Sequence, residues 1–378
     1  MINCSTINFV HFSDIHLGSS FRFLNEKAEQ HRGDLRRVLT NIVDMILNNA
    51  SAVQIAFLTG DLFDKHNPEL GDRAHAFSEI ERLAESGIRV YVLPGTHDSI
   101  SYPSSVWNLN CPKDVHIIRR SDFGIVDKFE MKGNHVEVFS MVWNPLCPVI
   151  DFPDIKRSNE KGISFGMLHA SWIPGAKWDV KPREIVLNPD KVDKFDLDYL
   201  ALGHFHNFSQ YKIGKTVVAY PGTPEGLKFD ETGDRYVIFG QVSLEKGVVL
   251  EKRPVNIREM RKIDIDLSKT GIDSHEELEN RIRRQSGKDV IAKVIIKGRS
   301  FEGYNQEILK ESLKNNFFFL EIEDRSTVEN GEWLGVIAKE NTVRGLFVNK
   351  LLNILESDPD NEIAQEALKI GMDLFQKT

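Results

Sequence analysis

Short apolar runs alternate with stretches of helical spacing along the first 257 residues of the chain. The apolar runs predict buried β-strands, which are Asn8–Ser13, Val53–Leu58, Ile88–Leu93, Val136–Val142, Ser164–Leu168, Tyr199–Leu202, Thr216–Tyr220 and Tyr236–Val242. Apolar residues recur at helical spacing from Leu35 to Ile46 and from Phe77 to Leu83. This alternation indicates an α/β (α+β) fold in which two sheets pack face to face and helices flank them.

A different pattern begins at Arg258. It predicts a small β-α-β-α-β unit whose elements are Lys262–Leu267, Ser274–Arg284, Ala292–Lys297, Asn305–Lys314 and Phe317–Glu323. Two amphipathic helices, Val343–Leu355 and Glu362–Phe375, are predicted after it. We therefore expect a large domain over residues 1–257, a small domain over 258–325 and a C-terminal helical pair over 326–378.

The composition is that of a globular protein, with 378 residues, 41% hydrophobic and 28% charged. No apolar run approaches the roughly 20 residues that cross a bilayer, and the N-terminal residues lack the features of a secretion signal. The three cysteines, Cys4, Cys111 and Cys147, are widely spaced, which favours a reducing compartment and argues against a thiolate metal site. We expect a cytoplasmic protein. Its net charge of −8 neither supports nor excludes a nucleic-acid partner, because an acidic chain can carry a local basic face.

Residues with metal-binding side chains follow several of the predicted strands. They belong to five short motifs, Asp14-Ile15-His16, Gly60-Asp61, Gly95-Thr96-His97-Asp98, His169 and Gly203-His204-Phe205-His206. Strand ends are where open α/β sheets build their sites. Carboxylates and imidazoles together suit Mn, Fe or Zn better than Mg or Ca. Two such ions, about 3.5–4 Å apart, can clamp the attacking and leaving oxygens of a displacement at phosphorus.

Each motif taken alone has an ordinary structural explanation. Asp-x-His is common in surface loops, and Asp61 after a glycine could simply cap the next helix. A single histidine such as His169 is most often buried with one hydrogen bond. Five motifs in this order, all at strand ends, are hard to explain in that way. The set therefore predicts a metal centre.

The motifs resemble the pattern of the calcineurin-like metallophosphoesterase superfamily over about residues 8–242. Within that superfamily the chain resembles the SbcD-type nucleases of DNA double-strand-break repair. The residues that carry this resemblance are Gly60–Asp64 followed by Pro68, then Tyr220–Pro224, and the small α/β unit after residue 257. The resemblance implies a two-sheet metallophosphoesterase sandwich with two divalent metal ions, Mn before Fe or Zn, and exo- or endonuclease activity on DNA.

The resemblance also implies roles for individual residues. The implied ligands are Asp14, His16, Asp61 and His206 for one ion, and bridging Asp61, His169 and His204 for the second. His97 would stabilise the transition state or protonate the leaving oxygen, and Asp98 would orient His97.

The chain departs from the family pattern at two positions. Thr96 stands where the family has the asparagine that binds the second ion. Because a threonine hydroxyl is shorter and is a poorer ligand than an amide oxygen, we expect the second site to be present but weaker. The family often has a histidine at the position of Asp64, and we do not expect His66, two residues later, to be catalytic.

Basic residues of the small domain are candidates for DNA contact, because the resemblance implies a cap that touches DNA. The candidates are Arg281, Arg284, Lys288 and Lys293. On one face they could neutralise phosphates along a duplex. The equally weighted alternative is a solvated, charge-mixed surface, since Glu276, Glu277, Glu279 and Asp289 are interspersed.

The C-terminal helices carry an apolar stripe that includes Leu346, Leu351, Ile363 and Leu368. Most such stripes pack on their own domain. In the resembled family, this segment binds the coiled-coil base of an SMC-like ABC ATPase of the SbcC type, and the nuclease forms a homodimer. We expect DNA, this ATPase and a second copy of the chain as partners, and no membrane.

Three functions are consistent with these features. The first is a metal-dependent DNA nuclease in double-strand-break repair, which the small domain favours because a macromolecular substrate needs surface beyond the pocket. The second is a phosphodiesterase acting on cyclic nucleotides or other small molecules. The third is a non-catalytic scaffold, which is supported by Thr96 alone.

Overall fold

The structure, a computed structural model, describes residues 6–48, 52–109, 111–144, 152, 154–172, 184–301, 304–328, 332–359 and 361–376. Cys4 and Cys147 lie outside these residues, and Cys111 is an exposed free thiol. The chain forms two compact units, Met1–Glu259 and Met260–Thr378. Each is described by itself.

The first unit is built from alternating strands and helices. Its strands are β1 (Ile7–Phe12), β2 (Ile55–Thr59), β3 (Arg89–Leu93), β4 (His116–Ile117), β5 (Gly124–Met131), β6 (Asn134–Ser140), β7 (Ile163–His169), β8 (Ser171–Trp172), β9 (Val186–Leu187), β10 (Tyr199–Gly203), β11 (Ser209–Ile213), β12 (Thr216–Tyr220), β13 (Tyr236–Ser243) and β14 (Gly247–Pro254). Its helices are α1 (Ala28–Leu47), α2 (Leu70–Glu85), α3 (Val106–Leu109) and α4 (Pro189–Asp193), with a 3-10 helix at Arg22–Lys27.

The described strands of this unit form two large mixed sheets and a short β8-β9 pair. One sheet has the order β14-β13-β1-β2-β3-β4 and the other the order β11-β12-β10-β7-β6-β5. Strands β1 to β4 run parallel in the first sheet, and β6, β7, β10 and β12 run parallel in the second. Strand β13 pairs antiparallel with β1, and the edge strands β14, β11 and β5 each pair antiparallel with their neighbour. The predicted α/β fold with two sheets flanked by helices is confirmed.

The two sheets pack through a shared apolar core. Phe9 of β1 lies 5.4 Å from Phe165 of β7 and 4.6 Å from Tyr199 of β10, measured between ring centroids. One polar link crosses this core, because the ring of His11 bonds to the hydroxyls of Tyr199 and Thr59 at 2.7 and 2.8 Å. Burial lowers the pKa of His11 to about 3, so this imidazole is neutral and acts as a structural bridge.

The strands predicted from apolar runs are the interior strands of the two sheets. These are β1, β2, β3, β6, β7, β10, β12 and β13, and all of them are confirmed. The sequence pattern missed the short β8-β9 pair and the four edge strands of the large sheets, which are β4, β5, β11 and β14. Their residues are mostly exposed or half-buried, because an edge strand contacts one neighbour and keeps charged residues toward water. Their sequences therefore lack a continuous apolar run.

The second unit contains a three-stranded sheet and two groups of helices. Its strands are β15 (Glu259–Asp266), β16 (Gly287–Ser300) and β17 (Phe317–Val328). Its helices are α5 (Leu267–Thr270), α6 (His275–Arg283), α7 (Gln306–Leu313), α8 (Glu332–Ile337), α9 (Val343–Ser357) and α10 (Glu362–Gln376), with a 3-10 turn at Lys314–Asn316. Strands β15, β16 and β17 are neighbours in that order, and α6 and α7 share their apolar cluster through Leu278 and Leu309. The short helices α5 and α8 were not predicted.

The two sheets of the first unit meet at the carboxyl ends of β2 and β10, where no side chain fits. A Cβ atom on Gly203 would overlap the carbonyl oxygen of Thr59, and one on Gly60 would overlap the ring of His169. Gly60 also has a φ of 96°, which few other residues adopt. Glycine at both positions lets the strand ends approach each other.

We predict that Gly203→Ala lowers the free energy of unfolding by about 2–3 kcal/mol, because the added methyl group meets backbone that cannot give way. Gly33→Ala is the matched control, since its Cβ would meet open space within α1. In a helix interior that change is expected to be neutral or to stabilise by up to about 1 kcal/mol. Urea unfolding of the full chain, followed by fluorescence, measures both. Equal stability of the two variants would contradict the prediction.

Candidate metal centre

The loops that follow β1 and β2 run side by side and are joined by backbone hydrogen bonds. The N–H groups of Asp14, His16 and Leu17 donate to the carbonyls of Gly60, Asp61 and Leu62, each at 3.0 Å. The pairing of the two strands thus continues past their ends. It brings the side chains of both motifs to one point.

Four of the predicted ligands have left-handed backbone conformations. The φ angles are 53° for Asp14, 53° for His16, 50° for Asp61 and 104° for His204. Such values cost free energy for residues with a side chain, and they concentrate at functional sites. In the described part of the chain, eight residues other than glycine have positive φ, so half of them are predicted ligands.

Among the described residues, three overlapping groups of side chains could hold a metal ion, and two of them consist of predicted ligands alone. Asp14, His16 and His206 form one of these two, and Asp14, Asp61 and His169 form the other, with the ligand atoms of each group within 4.8 Å of one another. The third group is His16, Asp64 and His97. Asp14, Asp61, His16 and His169 are all buried. Acidic and imidazole groups this close and this buried need a compensating charge.

Two imidazole nitrogens in this cluster fit a metal ion. Among the described residues, Nε2 of His16 and Nε2 of His169 are buried and have no hydrogen-bond partner. They lie 3.8 and 3.2 Å from Oδ2 of Asp61. Nδ1 of His169 donates to the carbonyl oxygen of Thr59 at 3.0 Å, so Nε2 is the nitrogen that faces the Asp61 carboxylate. A histidine with one nitrogen fixed in this way is typical of a metal ligand.

The electrostatics of the cluster also favour a cation. Burial acts to lower the pKa of His169, but the charges of Asp61 and Asp14 outweigh it and raise that pKa to about 10. Burial acts to raise the pKa of Asp61, yet His169 and His16 hold it well below its usual range. A proton on His169 therefore occupies a position that a divalent ion could fill.

His204 lies beside the cluster but outside all three groups. Its backbone N–H donates to both carboxylate oxygens of Asp14 at 3.1 Å, and its ring lies 5.2 Å from the ring of His169. Nε2 of His204 faces Glu184 at 3.6 Å, so its Nδ1 is the nitrogen left for a ligand. Burial and the nearby His169 charge lower the pKa of His204.

His97 lies at the open side of the centre, and its side chain is half exposed. Its backbone N–H donates to Oδ1 of Asp61 at 2.8 Å, and its Nδ1 donates to the carbonyl oxygen of Asp64 at 3.0 Å. Its ring packs edge-on against His16, 4.7 Å between centroids. Nε2 of His97 is thereby left for a substrate.

Asp98 holds the loop rather than the His97 ring. It accepts hydrogen bonds from the backbone N–H groups of Gly95, Leu62 and Phe63 at 2.7, 3.1 and 3.4 Å. Burial, followed by the charge of Asp61, raises the pKa of Asp98 to about 7. We expected Asp98 to orient His97. In the structure the His97 ring donates to the backbone carbonyl of Asp64. Asp98 instead accepts from the backbone of the two loops that carry Gly95 and Leu62.

Thr96 lies next to the carboxylate of Asp61. Its hydroxyl donates to Oδ2 of Asp61 at 3.3 Å. The hydroxyl hydrogen therefore points toward an oxygen that a second ion would also need.

Sequence reasoning overlooked three carboxylates that stand behind the imidazoles. Asp64 lies 3.3 Å from Nδ1 of His16 and accepts a hydrogen bond from Ser19 at 2.9 Å, Glu231 lies 2.7 Å from Nδ1 of His206, and Glu184 faces His204. The residue type alone carried no signal for them, because their partners come from other parts of the chain. His66, by contrast, stacks on Tyr102 with centroids 4.2 Å apart.

The candidate DNA-contacting residues of the second unit have different environments. Arg281 and Arg284 line a cavity of about 340 Å³ together with Glu276 and Glu277. The Lys293 ammonium is paired with Glu321 and Glu323 at 2.7 and 2.8 Å. Lys288 donates to the carbonyl oxygen of Asn315 at 2.6 Å. The charge of Lys293 is thus already compensated within the sheet.

Within the part of the chain that the structure describes, no helix has the length and apolar character to cross a membrane.

Several known proteins are similar to this chain. The uncharacterized metallophosphoesterase YhaO of Bacillus subtilis is 27% identical over 271 residues, which are 68% of this chain and 65% of that protein. The chain thus spans just under two thirds of YhaO. The DNA double-strand break repair protein Mre11 of Methanopyrus kandleri is 22% identical, covering 96% of this chain and 82% of that protein. Mre11 of Sulfolobus acidocaldarius is 25% identical, covering 70% of this chain and 67% of that protein.

Residues 7–208, more than half of the chain, match the family described as calcineurin-like phosphoesterase. These residues include all of the motifs that carry the metal centre. The resemblance to this superfamily, inferred from the motifs, is confirmed. The chain belongs to the calcineurin-like phosphoesterase family.

Proposed function

We propose that this protein is a metal-dependent phosphodiesterase that acts as a DNA nuclease in double-strand-break repair. The observation that carries the proposal is the buried cluster around Asp61, in which two unpartnered imidazole nitrogens face one carboxylate oxygen. Membership of the phosphoesterase family supports hydrolysis of a phosphate ester. The similarity to proteins named DNA double-strand break repair protein Mre11 supports DNA as the substrate.

The residues fit two divalent ions, for which we propose Mn before Fe or Zn. Asp14, His16, Asp61 and His206 would hold the first ion. Asp61, His169, His204 and, more weakly, Thr96 would hold the second. Such ions supply an activated water and neutralise charge on the phosphate.

His97 is proposed to act on the substrate itself. Its ring is held by Asp64 and by packing on His16. The side chain is half exposed, and Nε2 would face a phosphate oxygen or a leaving group. Asp98 is proposed to keep the loop in place through Gly95 and Leu62, so that His97 stays at this position.

We also propose a cap domain over residues 258–325, with Arg281 and Arg284 as better DNA contacts than Lys293. Those two guanidinium groups line an open cavity, whereas Lys293 is paired with two glutamates. Lys288 remains a candidate contact. A homodimer and a cytoplasmic location are proposed on the family resemblance alone.

The test of this function is Mn-dependent degradation of labelled duplex and hairpin DNA, run beside hydrolysis of bis-p-nitrophenyl phosphate. We expect both activities, and His97→Ala should lower both by roughly 100-fold or more, the usual scale for loss of a general acid. Metal content of that variant should be unchanged, whereas His204→Ala should lose metal first. Hydrolysis of the small ester alone would favour the small-molecule phosphodiesterase. No turnover of either substrate would favour the scaffold.

Thr96→Asn should tighten the second metal site. An asparagine carbonyl oxygen reaches further than the threonine hydroxyl and can bind the ion directly. The threonine hydroxyl instead donates its hydrogen to Asp61. We expect calorimetric titration of the wild-type chain with Mn to show one tight and one weak site, and Thr96→Asn to strengthen the weak site by about 10-fold, on the scale of a single ligand contact. Two equally tight sites in both proteins would show that residue 96 does not determine the affinity.

The C-terminal helices are proposed to bind the coiled-coil base of an SbcC-type ATPase. Helices α8, α9 and α10 bury one apolar face in their own cluster, which includes Val348, Leu355 and Leu368. A second set of apolar side chains is exposed, with Leu346 at 68% and Ile363 at 84%. Exposed apolar residues grouped on two adjacent helices are typical of an interaction surface.

Leu346→Glu combined with Ile363→Glu should abolish co-elution with such an ATPase in size-exclusion chromatography, because a charge at each position cannot be buried against an apolar partner. The substitutions are at exposed sites, so the fold should be kept. Glu356→Lys, at an exposed position of α9, is the matched control and should co-elute like the wild-type chain. Retained co-elution of the double variant would contradict this binding surface.

A further inference from the structure

The ring of His206 is held by the carboxylate of Glu231, which is not one of the predicted site residues. Nδ1 of His206 donates to Oε1 of Glu231 at 2.7 Å. This bond fixes the proton on Nδ1 and leaves the Nε2 lone pair for the group that His206 forms with Asp14 and His16. The ring lies 5.2 Å from the ring of His16, measured between centroids, so both imidazoles could bind the same ion.

Glu231 is itself rigidly placed. It is 5% exposed, and its other oxygen, Oε2, accepts hydrogen bonds from the backbone N–H of Leu227 at 2.7 Å and from the hydroxyl of Thr223 at 3.4 Å. Its own N–H donates to the carbonyl oxygen of Lys228 at 3.0 Å. The loop after β12 therefore holds the Glu231 carboxylate in place independently of its hydrogen bond to His206.

The same loop holds the main chain of His206. The backbone N–H of Thr223 donates to the carbonyl oxygen of His206 at 3.0 Å. The Arg235 guanidinium donates to that same carbonyl, and also to the carbonyl oxygen of Thr223 and the side chain of Asn207, both at 3.0 Å. Ring and backbone of His206 are thus both fixed by residues 223–235.

The other imidazoles of the centre have a more distant carboxylate or an uncharged group behind them. The Asp64 carboxylate lies 3.3 Å from His16 and its side chain is 36% exposed. Glu184 is 3.6 Å from His204, which is beyond a hydrogen bond. His169 is held by a backbone carbonyl. Glu231 makes the shortest and most buried carboxylate contact of these.

We propose that Glu231 is a positioning residue that sets the metal affinity of the site served by His206. A buried carboxylate behind a ligating imidazole fixes the orientation of the ring and strengthens it as a donor. Its charge also adds to the attraction for a cation. The effect is expected at the first ion, because Glu231 contacts His206 and not the ligands of the second ion. This inference rests on the metal binding of the proposed function.

The test is calorimetric titration of the metal-free full chain with Mn, for the wild-type protein and for Glu231→Gln. The amide oxygen can still accept the hydrogen bond from His206, but the side chain carries no charge. Its NH₂ group cannot replace the second oxygen as the acceptor for the Leu227 N–H. We expect the tight binding event to weaken by about 10- to 100-fold, and the weak event to change by less than about 3-fold. The melting temperatures of the metal-free variant and wild-type proteins show whether the substitution lowers the overall stability.

Glu225→Gln is the matched control. Glu225 is also buried in this region and accepts two backbone hydrogen bonds, from Ile257 and Arg258 at 2.7 and 3.0 Å. The Glu225→Gln variant should bind Mn with the same two affinities as the wild-type chain. The inference is overturned if Glu231→Gln leaves the tight event unchanged, if it weakens both events equally, or if Glu225→Gln has the same effect. Absence of any Mn binding to the wild-type chain would contradict the proposed function itself.

Discussion

The metal centre depends on the close approach of two strand ends, one from each sheet. Gly203 at the end of β10 lies against the carbonyl oxygen of Thr59 at the end of β2, and Gly60 lies against the ring of His169. A methyl group at either glycine would separate the strand ends. Without that contact, Asp61 of one sheet could not come within 3.2 Å of Nε2 of His169 from the other.

This geometry concentrates charge and strain where a protein ordinarily avoids both. The side chains of Asp14, Asp61 and several histidines lie close together. Four of the predicted ligands also have positive φ. The hydrogen bonds between the β1 and β2 loops and the contacts of Asp98 offset part of that cost. A divalent ion would offset the rest, since it satisfies the carboxylates and the unpartnered nitrogens together. The site is therefore built for a cation by the same features that make it unfavourable without one.

The carboxylates behind the imidazoles give the centre a second level of organisation. Asp64, Glu184 and Glu231 each face the nitrogen of a histidine that points away from the cluster. Because their distances and burial differ, the two proposed metal sites need not have equal affinity. Thr96 adds to that inequality by donating a proton toward Asp61. The proposal of one tight and one weaker site rests on this local chemistry.

The sequence by itself determined the interior of the fold and the identity of the candidate ligands. The eight interior strands are rich in apolar residues because most of their residues are buried, and the five motifs follow predicted strands. Only the tertiary structure decided the edge strands, the pairing of Lys293 with two glutamates, and the contacts of Asp64 and Glu231. The physical reason is the same in each case. A half-exposed strand or a lone carboxylate has no distinctive local pattern, and its role is set by partners far away in the chain, such as Glu231 for His206 across 25 residues.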